Sequence, residues 1–356
     1  MRLFVVAPDI FAGDAVGNHC LSILRIARRL GLEANAYAQR FSGEVYPIEI
    51  LFDQMRDSDT MLISYSIHDP FLVRLLALPG RKLCYFHGVT TPELLREFEP
   101  VTADLCARSY EQFPLLRQFD LLMANSHVTA QSLARYTRTD DILIIPPVTA
   151  DMPIFQHVFT CRRHGAGLNL LVVGRVVPHK RIEDAIEILA CVRTSGVDMR
   201  LRVVGDTPNS AYSAFLTQHA VSLAVQEYVN FDGMLDEQSL FRRFEEADAL
   251  LSVSRHEGFC VPVLEAMHLG LPAFVRSGTA ASEVGEGGAV EFDSIETASS
   301  VIRRMHEDRE FRTCLVLAGK HRAADVMALS NDTVFHNIFS APAKSVGTPF
   351  SRTPQC

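Results

Sequence analysis

Leu168-Asn169-Leu170-Leu171-Val172-Val173-Gly174-Arg175-Val176-Val177-Pro178-His179-Lys180-Arg181 carries the pattern on which the fold turns. Its first half is a continuous apolar run, as expected of a strand buried on both faces of a parallel sheet. Gly174 breaks the run. Beyond it, Arg181–Arg193 sets Ile182, Ala185, Ile186, Leu189 and Ala190 on one helical face. Strand, loop and helix in this order form the repeating unit of α/β folds, and ligands of open α/β sheets bind outside the carboxyl ends of the strands. The cationic loop Gly174–Arg181 lies at that edge. An arginine fork, a lysine point charge and a helix N-terminus together suit a diphosphate. The plain alternative is a solvated basic loop. The loop is not a Walker P-loop, because no G-K-[ST] is present.

The same rhythm runs outward in both directions. Downstream, strands are expected at Met199–Val204, Tyr228–Phe231, Ala249–Val253 and Pro272–Val275. Helices are expected at Ser210–Ala224, Asp236–Glu246, Val261–Leu269 and Ser294–Asp308. Upstream, apolar runs mark strands at Leu3–Ala7, Glu33–Ala38, Thr60–Ser64, Lys82–Phe86, Leu121–Ala124 and Ile142–Ile145. The helix Val16–Leu30 closes on Gly31, and Val128–Tyr136 starts from Ser126 as N-cap. Pro146-Pro147 ends this series and a weakly patterned stretch follows. The expectation is an α/β chain of two Rossmann-like, doubly wound domains facing a cleft. The first spans 1–150, a linker 151–167, and the second domain 168–330. A last helix at 331–340 is expected to return to the first domain, and the Pro-, Ser- and Thr-rich tail 341–356 to be disordered.

Composition agrees with two domains. The 356 residues are 48% hydrophobic and 21% charged, which excludes global disorder. A formal charge of −8 argues against a nucleic-acid-binding protein. The absence of Trp argues against a Trp-lined carbohydrate module. The 8 cysteines form no C-x-x-C pair and no zinc spacing, so reduced, buried thiols in a cytosolic chain are expected. The apolar run at Leu3–Ala7 is too short for a signal-peptide core, and nowhere do 18 apolar residues run together.

A second stretch, Ser252 to Met267, repeats the strand–loop–helix pattern. Gly258 breaks the loop and Pro262 suits the first helical turn. Backbone N–H groups from Gly258 to Val263 are expected to face the cleft and to suit phosphate. Glu257 precedes the loop and Glu265 sits early in the helix, so both carboxylates can reach one ligand. A carboxylate that accepts ribose hydroxyls is a common nucleotide contact. The alternative is a surface charge at Glu257 and a helix-dipole complement at Glu265.

Glu257 and Glu265, with Gly258-Phe259 between them, resemble the E-x7-E motif of retaining GT-B glycosyltransferases of family 4 type, the glycosyl transferases group 1. The Gly174-Arg175…Lys180 segment resembles the same family's diphosphate loop. The first half is similar in Gly13-Asp14-Ala15-Val16-Gly17-Asn18-His19, a variant of a loop found in bacterial members that build surface polysaccharides, though without the usual Gly-Gly pair. It is similar again in Cys84-Tyr85-Phe86-His87-Gly88, where Gly88 replaces the more usual Asn, and in Asn125-Ser126.

The resemblance implies a GT-B architecture and sugar transfer from a nucleoside-diphosphate sugar to a hydroxyl acceptor, a saccharide or lipid-linked saccharide, with retention of configuration. Arg175 and Lys180 would neutralise the leaving diphosphate. Glu265 would hold the ribose. Glu257, with the main chain of Gly258 and Phe259, would orient the donor sugar, and His87 would face it from the first domain. Gly174, Cys260 and Val261 complete the implied donor site, and Gly13, Asp14, Gly17 and Asn18 the acceptor-side loop. No metal or cofactor is implied. Asp57-Ser58-Asp59 precedes a strand instead of following one, so it reads as a surface helix end and not as a metal-binding D-x-D. A cytoplasmic location is implied, with room for peripheral contact at the inner face of the membrane through Arg25, Arg28 and Arg29, although a solvated face is the favoured reading of these three. The competing readings are a sugar-nucleotide epimerase or phosphorylase-like enzyme on the same architecture, and a non-catalytic sugar-nucleotide-binding protein. Base, sugar, acceptor and oligomeric state carry no sequence signal.

Overall fold

The structure, a computed structural model, describes residues 2–149, 151–157 and 167–341. The expected disordered tail and most of the expected linker lie outside the described residues.

Two parallel sheets organise the chain. The first contains β1 (Arg2–Ile10), β2 (Glu33–Phe41), β3 (Tyr46–Pro47), β4 (Thr60–Tyr65), β5 (Arg81–Phe86), β6 (Leu121–Ala124) and β7 (Ile142–Ile144), in the order β3-β2-β1-β4-β5-β6-β7. The second contains β8 (Leu168–Val173), β9 (Met199–Val204), β10 (Val229–Gly233), β11 (Ala249–Ser252), β12 (Ala273–Arg276) and β13 (Val290–Phe292), in the order β10-β9-β8-β11-β12-β13. Continuous apolar strands require cover on both faces, and β4 is buried at every residue. Helices supply that cover. Ala15–Arg29, for example, lays Ile23, Leu24, Ile26 and Ala27 on the first sheet. Asp14 caps this helix by accepting from Val16 and Gly17 N–H, and Gly31 follows its end at φ +78°.

Each sheet reverses its strand order once, between β1 and β4 and between β8 and β11. At such a reversal, neighbouring connections leave toward opposite faces and open a crevice at the carboxyl edge. The loops that follow β8 and β11 are the two stretches singled out in the sequence.

The last helix, Asp332–Ser340, packs against the first sheet's core through Phe335, Ile338 and Phe339. Arg81 donates to the Ile338 carbonyl at 2.8 Å, and Arg29 grips Asp332 at 2.7 Å and Asp151 at 2.9 Å. Arg29 thus has a structural role, its fork clamping the crossing chain. Phe335 is fully buried. Its replacement by alanine is expected to cost about 3–5 kcal/mol, as for other buried phenylalanines, measured by urea denaturation.

The D-x-D reading also needs correction. Asp59 is no surface residue: it is buried and receives Arg2 Nε at 3.0 Å, Arg2 Nη2 at 2.6 Å and Arg56 N–H at 2.8 Å. Desolvation forces such a carboxylate to take every donor within reach. The cysteines are likewise mixed. Cys20, Cys84, Cys106 and Cys260 are buried free thiols, whereas Cys191 and Cys314 are exposed on helices. Among the described residues, no helix is long and apolar enough to cross a membrane.

Candidate active site

The second-domain crevice is built by glycines. Gly174 ends β8 at φ +144° and Gly205 follows β9 at φ +150°. A Cβ on Gly205 would stand 2.0 Å from the Gly174 carbonyl oxygen, so a side chain there has no room. A Cβ on Gly174 would lie 3.3 Å from Lys180 Nζ. The two glycines thus let the loop fold back until the ammonium lies beside the strand end.

Lys180 Nζ meets Glu257 Oε1 at 2.6 Å, with the two side chains only 17% and 10% exposed. Burial opposes charge on both. Their mutual attraction outweighs it, holding Lys180 above the ordinary lysine value and Glu257 below the ordinary carboxylate value, with Ser254 adding a hydrogen bond to Glu257. Lysine carries three donors, so this pairing leaves N–H groups for a second anion. Arg175 is exposed at the mouth of the same pocket.

The loop is braced from behind. Arg181 takes a left-handed conformation (φ 54°) and pairs with Glu183 and Asp184, each at 2.7 Å. Arg276 also pairs with Asp184 and donates to the Val253 carbonyl at 2.9 Å. Tyr212 bonds Glu183. Arg255 N–H donates to the His179 carbonyl at 2.9 Å and joins the two loops directly. His179 and His256 stand 6.3 Å apart beside the ion pair, and burial first, then Lys180, brings His179 down to about 3.

At the second loop, Cys260 is left-handed (φ 79°) and the helix Val261–His268 begins after it. One expectation fails here. The Val263 N–H donates to the Cys260 carbonyl at 3.1 Å, and Pro262 has no N–H, so the loop's own turn removes two of the expected donors. The N–H groups of Gly258, Phe259, Cys260 and Val261 donate to no described residue, and this is the unsatisfied set on which anion sites at helix starts rest. The Phe259 and Cys260 side chains are buried in the core, and Cys260 also lines the pocket beside Lys180 and Glu257. Glu265 is 5% exposed and its carboxylate has no partner among the described residues. Burial alone lifts it to about 7.

The first domain brings His87 to the crevice from the end of β5. Its Nε2 lies 2.5 Å from Ser64 Oγ, and burial lowers it to about 3, so the ring is neutral. His19 lies 5.2 Å from it, tilted against Tyr85 at 4.1 Å between ring centroids. Gly258 sits directly on His87: a Cβ there would stand 2.1 Å from the His87 carbonyl oxygen and 2.7 Å from Asn125 Nδ2. Gly88 (φ +85°) passes Thr129 less tightly, 3.2 Å from a built Cβ to the methyl, on a left-handed backbone that favours glycine.

The acceptor-side residues serve their own loop. Gly13 (φ +90°) donates to Asn18 Oδ1 at 3.0 Å, and Asp14 Oδ2 caps the helix. A Cβ on Gly17 would lie 2.0 Å from the Phe11 carbonyl oxygen. All four shape the turn at the carboxyl end of β1. The structure thus brings Gly174, Lys180, Glu257, Gly258 and His87 into one place, with Arg175 at the rim, while Glu265 lies buried in the helix that follows the second loop. Asn125 and Ser126, marked in the sequence by their resemblance, join them, as do Ser64, Thr129 and Glu283, which no sequence pattern marks.

Two Rossmann-like domains, joined carboxyl edge to carboxyl edge over a glycine-lined crevice with a lysine and an unsatisfied helix start, define the GT-B class of glycosyltransferases. Residues 165–322 match the family described as glycosyl transferases group 1, and the chain has the GT-B fold. It is 25% identical over 267 residues to a GDP-mannose-dependent alpha-(1-6)-phosphatidylinositol dimannoside mannosyltransferase of Mycobacterium tuberculosis, covering 70% of this chain and 67% of that protein. It is 28% identical over 146 residues to a GDP-mannose:cellobiosyl-diphosphopolyprenol alpha-mannosyltransferase of Xanthomonas campestris, covering 39% of this chain and 37% of that protein. In fold it is similar to WaaG, a glycosyltransferase involved in lipopolysaccharide biosynthesis, with a TM-score of 0.70, 16% identity, and coverage of 96% of this chain and 100% of WaaG. It is also similar to Anabaena HepE in complex with UDP-glucose, with a TM-score of 0.71, 15% identity, and coverage of 96% and 100%.

Proposed function

We propose that the protein moves a sugar from a nucleoside-diphosphate sugar to a hydroxyl of a saccharide or lipid-linked saccharide, with retention of configuration and without a metal. The observation that carries this reading is the Lys180–Glu257 pair, followed in the chain by four N–H groups that donate to no described residue and by the buried Glu265, whose carboxylate has no partner among the described residues. In this reading the diphosphate lies against Lys180, Arg175 and the Gly258–Val261 main chain. Fixed donors aimed at the charge that builds on the departing phosphate lower the barrier without reorganising. Glu257, held by Lys180, directs its second oxygen to the donor sugar. Glu265 accepts the ribose hydroxyls, and neutral His87 offers the sugar a hydrogen-bond partner from the first domain. The acceptor hydroxyl enters beside the Gly13–Asn18 loop, and the leaving phosphate takes its proton on the same face. Two similar proteins are named for GDP-mannose and for lipid-borne acceptors, and one similar structure holds UDP-glucose. A panel of GDP-, UDP-, ADP- and dTDP-sugars with polyprenol-linked and phospholipid-linked acceptors tests the reaction. Release of nucleoside diphosphate with transfer of the same anomer, read by NMR of the product, is expected. No release from any donor overturns it.

The Glu265 assignment makes its own prediction. A carboxyl raised to about 7 binds more protons folded than unfolded, so its contribution to stability falls as pH rises from the ordinary 4.5 towards 7. Ribose hydroxyls donating to the carboxylate favour the ionised form, so nucleoside-diphosphate affinity is expected to rise by up to about tenfold between about pH 6 and 8. In Glu265→Gln this increment is expected to vanish. Parallel pH curves for the two proteins in titration calorimetry would place the ribose elsewhere.

A further inference from the structure

The two domains meet at a built joint that the reaction chemistry does not itself require. The short helix His127–Gln131 of the first domain points its start at the second. There the Glu283 carboxylate accepts from His127 N–H at 2.7 Å and from Val128 N–H at 2.9 Å. One turn away, the Ser126 and Thr129 hydroxyls stand 2.8 and 2.9 Å from the Gly258 carbonyl oxygen. The two contacts share one helix. One fixes it to the second domain at Glu283, and the other fixes the donor loop to it at Gly258.

Glu283 is held ready for this contact. It sits on the helix Ala280–Val284, whose start is locked by a reciprocal cap between Thr279 and Ser282. Arg322 secures the other end, donating to the Glu283 carbonyl at 2.7 Å and the Val284 carbonyl at 3.0 Å. A carboxylate on a helix braced at both ends loses little side-chain freedom when it accepts two N–H groups, so the contact is a stiff one. Within the first domain, Asn125 Nδ2 donates to the His87 carbonyl at 3.2 Å, so the end of β6 that carries Ser126 is tied to the end of β5 that carries His87. Motion of the helix relative to Glu283 is therefore motion of His87 relative to Glu257.

We propose that Glu283 is a positioning residue for sugar transfer: its carboxylate, together with the Ser126 and Thr129 hydroxyls on the Gly258 carbonyl, sets the domain closure that brings His87 against the donor loop. The inference rests on the proposed donor site but acts through domain placement, and the two can fail separately. Glu283 touches none of Arg175, Lys180, Glu257 or Glu265. Removing it should leave binding of free nucleoside diphosphate intact and lower turnover.

The test compares full-length wild type with Glu283→Ala, Glu283→Gln and Thr129→Val. Expected for Glu283→Ala is a fall in kcat of about tenfold to a hundredfold, the range for misplaced reacting groups, with GDP and UDP affinity within twofold of wild type by calorimetry. Small-angle scattering of the nucleotide-bound protein should show a larger radius of gyration. Glu283→Gln keeps one acceptor oxygen and should recover part of the loss in both readouts. The double variant Glu283→Ala/Thr129→Val should lose less than the product of the single losses, because both act on one joint. Wild-type kcat with wild-type scattering in Glu283→Ala overturns the proposal. So does a parallel loss of nucleotide affinity, which would place the effect in the donor site. Should no donor support transfer in any protein, the scattering comparison still decides the joint: an unchanged radius overturns it, whereas an enlarged one retains it while the donor reading fails.

Discussion

Replacement of Gly258 by alanine is expected to abolish detectable transfer while each domain keeps its fold. The added methyl would stand 2.1 Å from the His87 carbonyl oxygen, a backbone atom at the end of β5, and 2.7 Å from Asn125 Nδ2. The Asn125 amide can rotate away, but the His87 carbonyl cannot, because it is backbone at the end of β5, which is paired on both sides. Relief must come from separation of the domains, and the Ser126 and Thr129 contacts to the Gly258 carbonyl lie in the way of that movement. A displacement on the order of 1 Å between reacting groups costs roughly a hundredfold in rate. Neither domain's own core contains the site of the clash, so the local cost of about 1–3 kcal/mol for overpacking falls on the joint. Steady-state rates beside circular dichroism and scattering check this. An alanine variant that keeps more than a third of wild-type kcat would show that the joint yields without consequence.

Lys180→Ala is expected to remove both binding and stability. The ammonium is the cation that the glycine fold-back brings beside the strand end, and Glu257 lies 2.6 Å from it. Deleting the lysine leaves a carboxylate that is only 10% exposed without its counter-charge. Breaking such a pair costs about 3–5 kcal/mol when fully buried, and about 2–4 kcal/mol here, where the pocket mouth admits water. The pH dependence follows from the two directions. Glu257 is lowered in the folded protein, so its share of the stability is present above the ordinary value of 4.5 and is lost as pH falls through the lowered one. Lys180 is raised, so its share is present below the ordinary 10.5 and is lost as pH rises through the raised one. The stability gap between wild type and variant should be flat across neutral pH and close in acid. Urea titrations at several pH values measure it. A gap under about 0.5 kcal/mol at neutral pH, within the range of an ordinary surface substitution, would mean that the pair is solvated. Lys180→Ala/Glu257→Gln should regain much of the lost stability and none of the nucleotide affinity, which separates the two roles.

Much of this architecture is legible in the sequence, because parallel strands buried on both faces cannot hide. The runs at Leu121–Ala124 and Met199–Val204 coincide with β6 and β9 residue for residue. Helices with a broad apolar stripe are equally plain. What escapes notice has a physical cause. The helix Pro100–Gln112 buries Ala103, Cys106, Ser109 and Gln112, a face of small and polar residues that shows no hydrophobic period. The helix Arg309–Ala328 buries only Gly319, Ala323 and Val326 along 20 residues. The helix expected at Val128–Tyr136 stops at Gln131, and turns succeed it. At the site, glycines and charges next to strand ends are visible, and so Gly174, Lys180, Glu257 and Gly258 can be read in advance. Their mutual arrangement is not visible. Lys180 and Glu257 are 77 positions apart, and nothing local announces that they pair. Ser126, Thr129 and Glu283 act across the domain boundary, where no sequence period exists to reveal them.

The crossing of the last helix onto the first sheet has a consequence for how the polypeptide is born. Strands β1 to β7 leave the ribosome first, yet Phe335, Ile338 and Phe339 that seal their outer face are made only after the entire nucleotide-side sheet. At roughly 5–20 residues per second, translation of the intervening chain takes on the order of ten seconds or more. Through that interval the nascent first sheet exposes an apolar patch where aromatic rings will later sit, and a patch of that kind attracts chaperones and other nascent chains. The second sheet has no comparable wait, since its core is made from one unbroken run. Synthesis therefore yields a finished second domain before the first is sealed, and the crevice between them forms last.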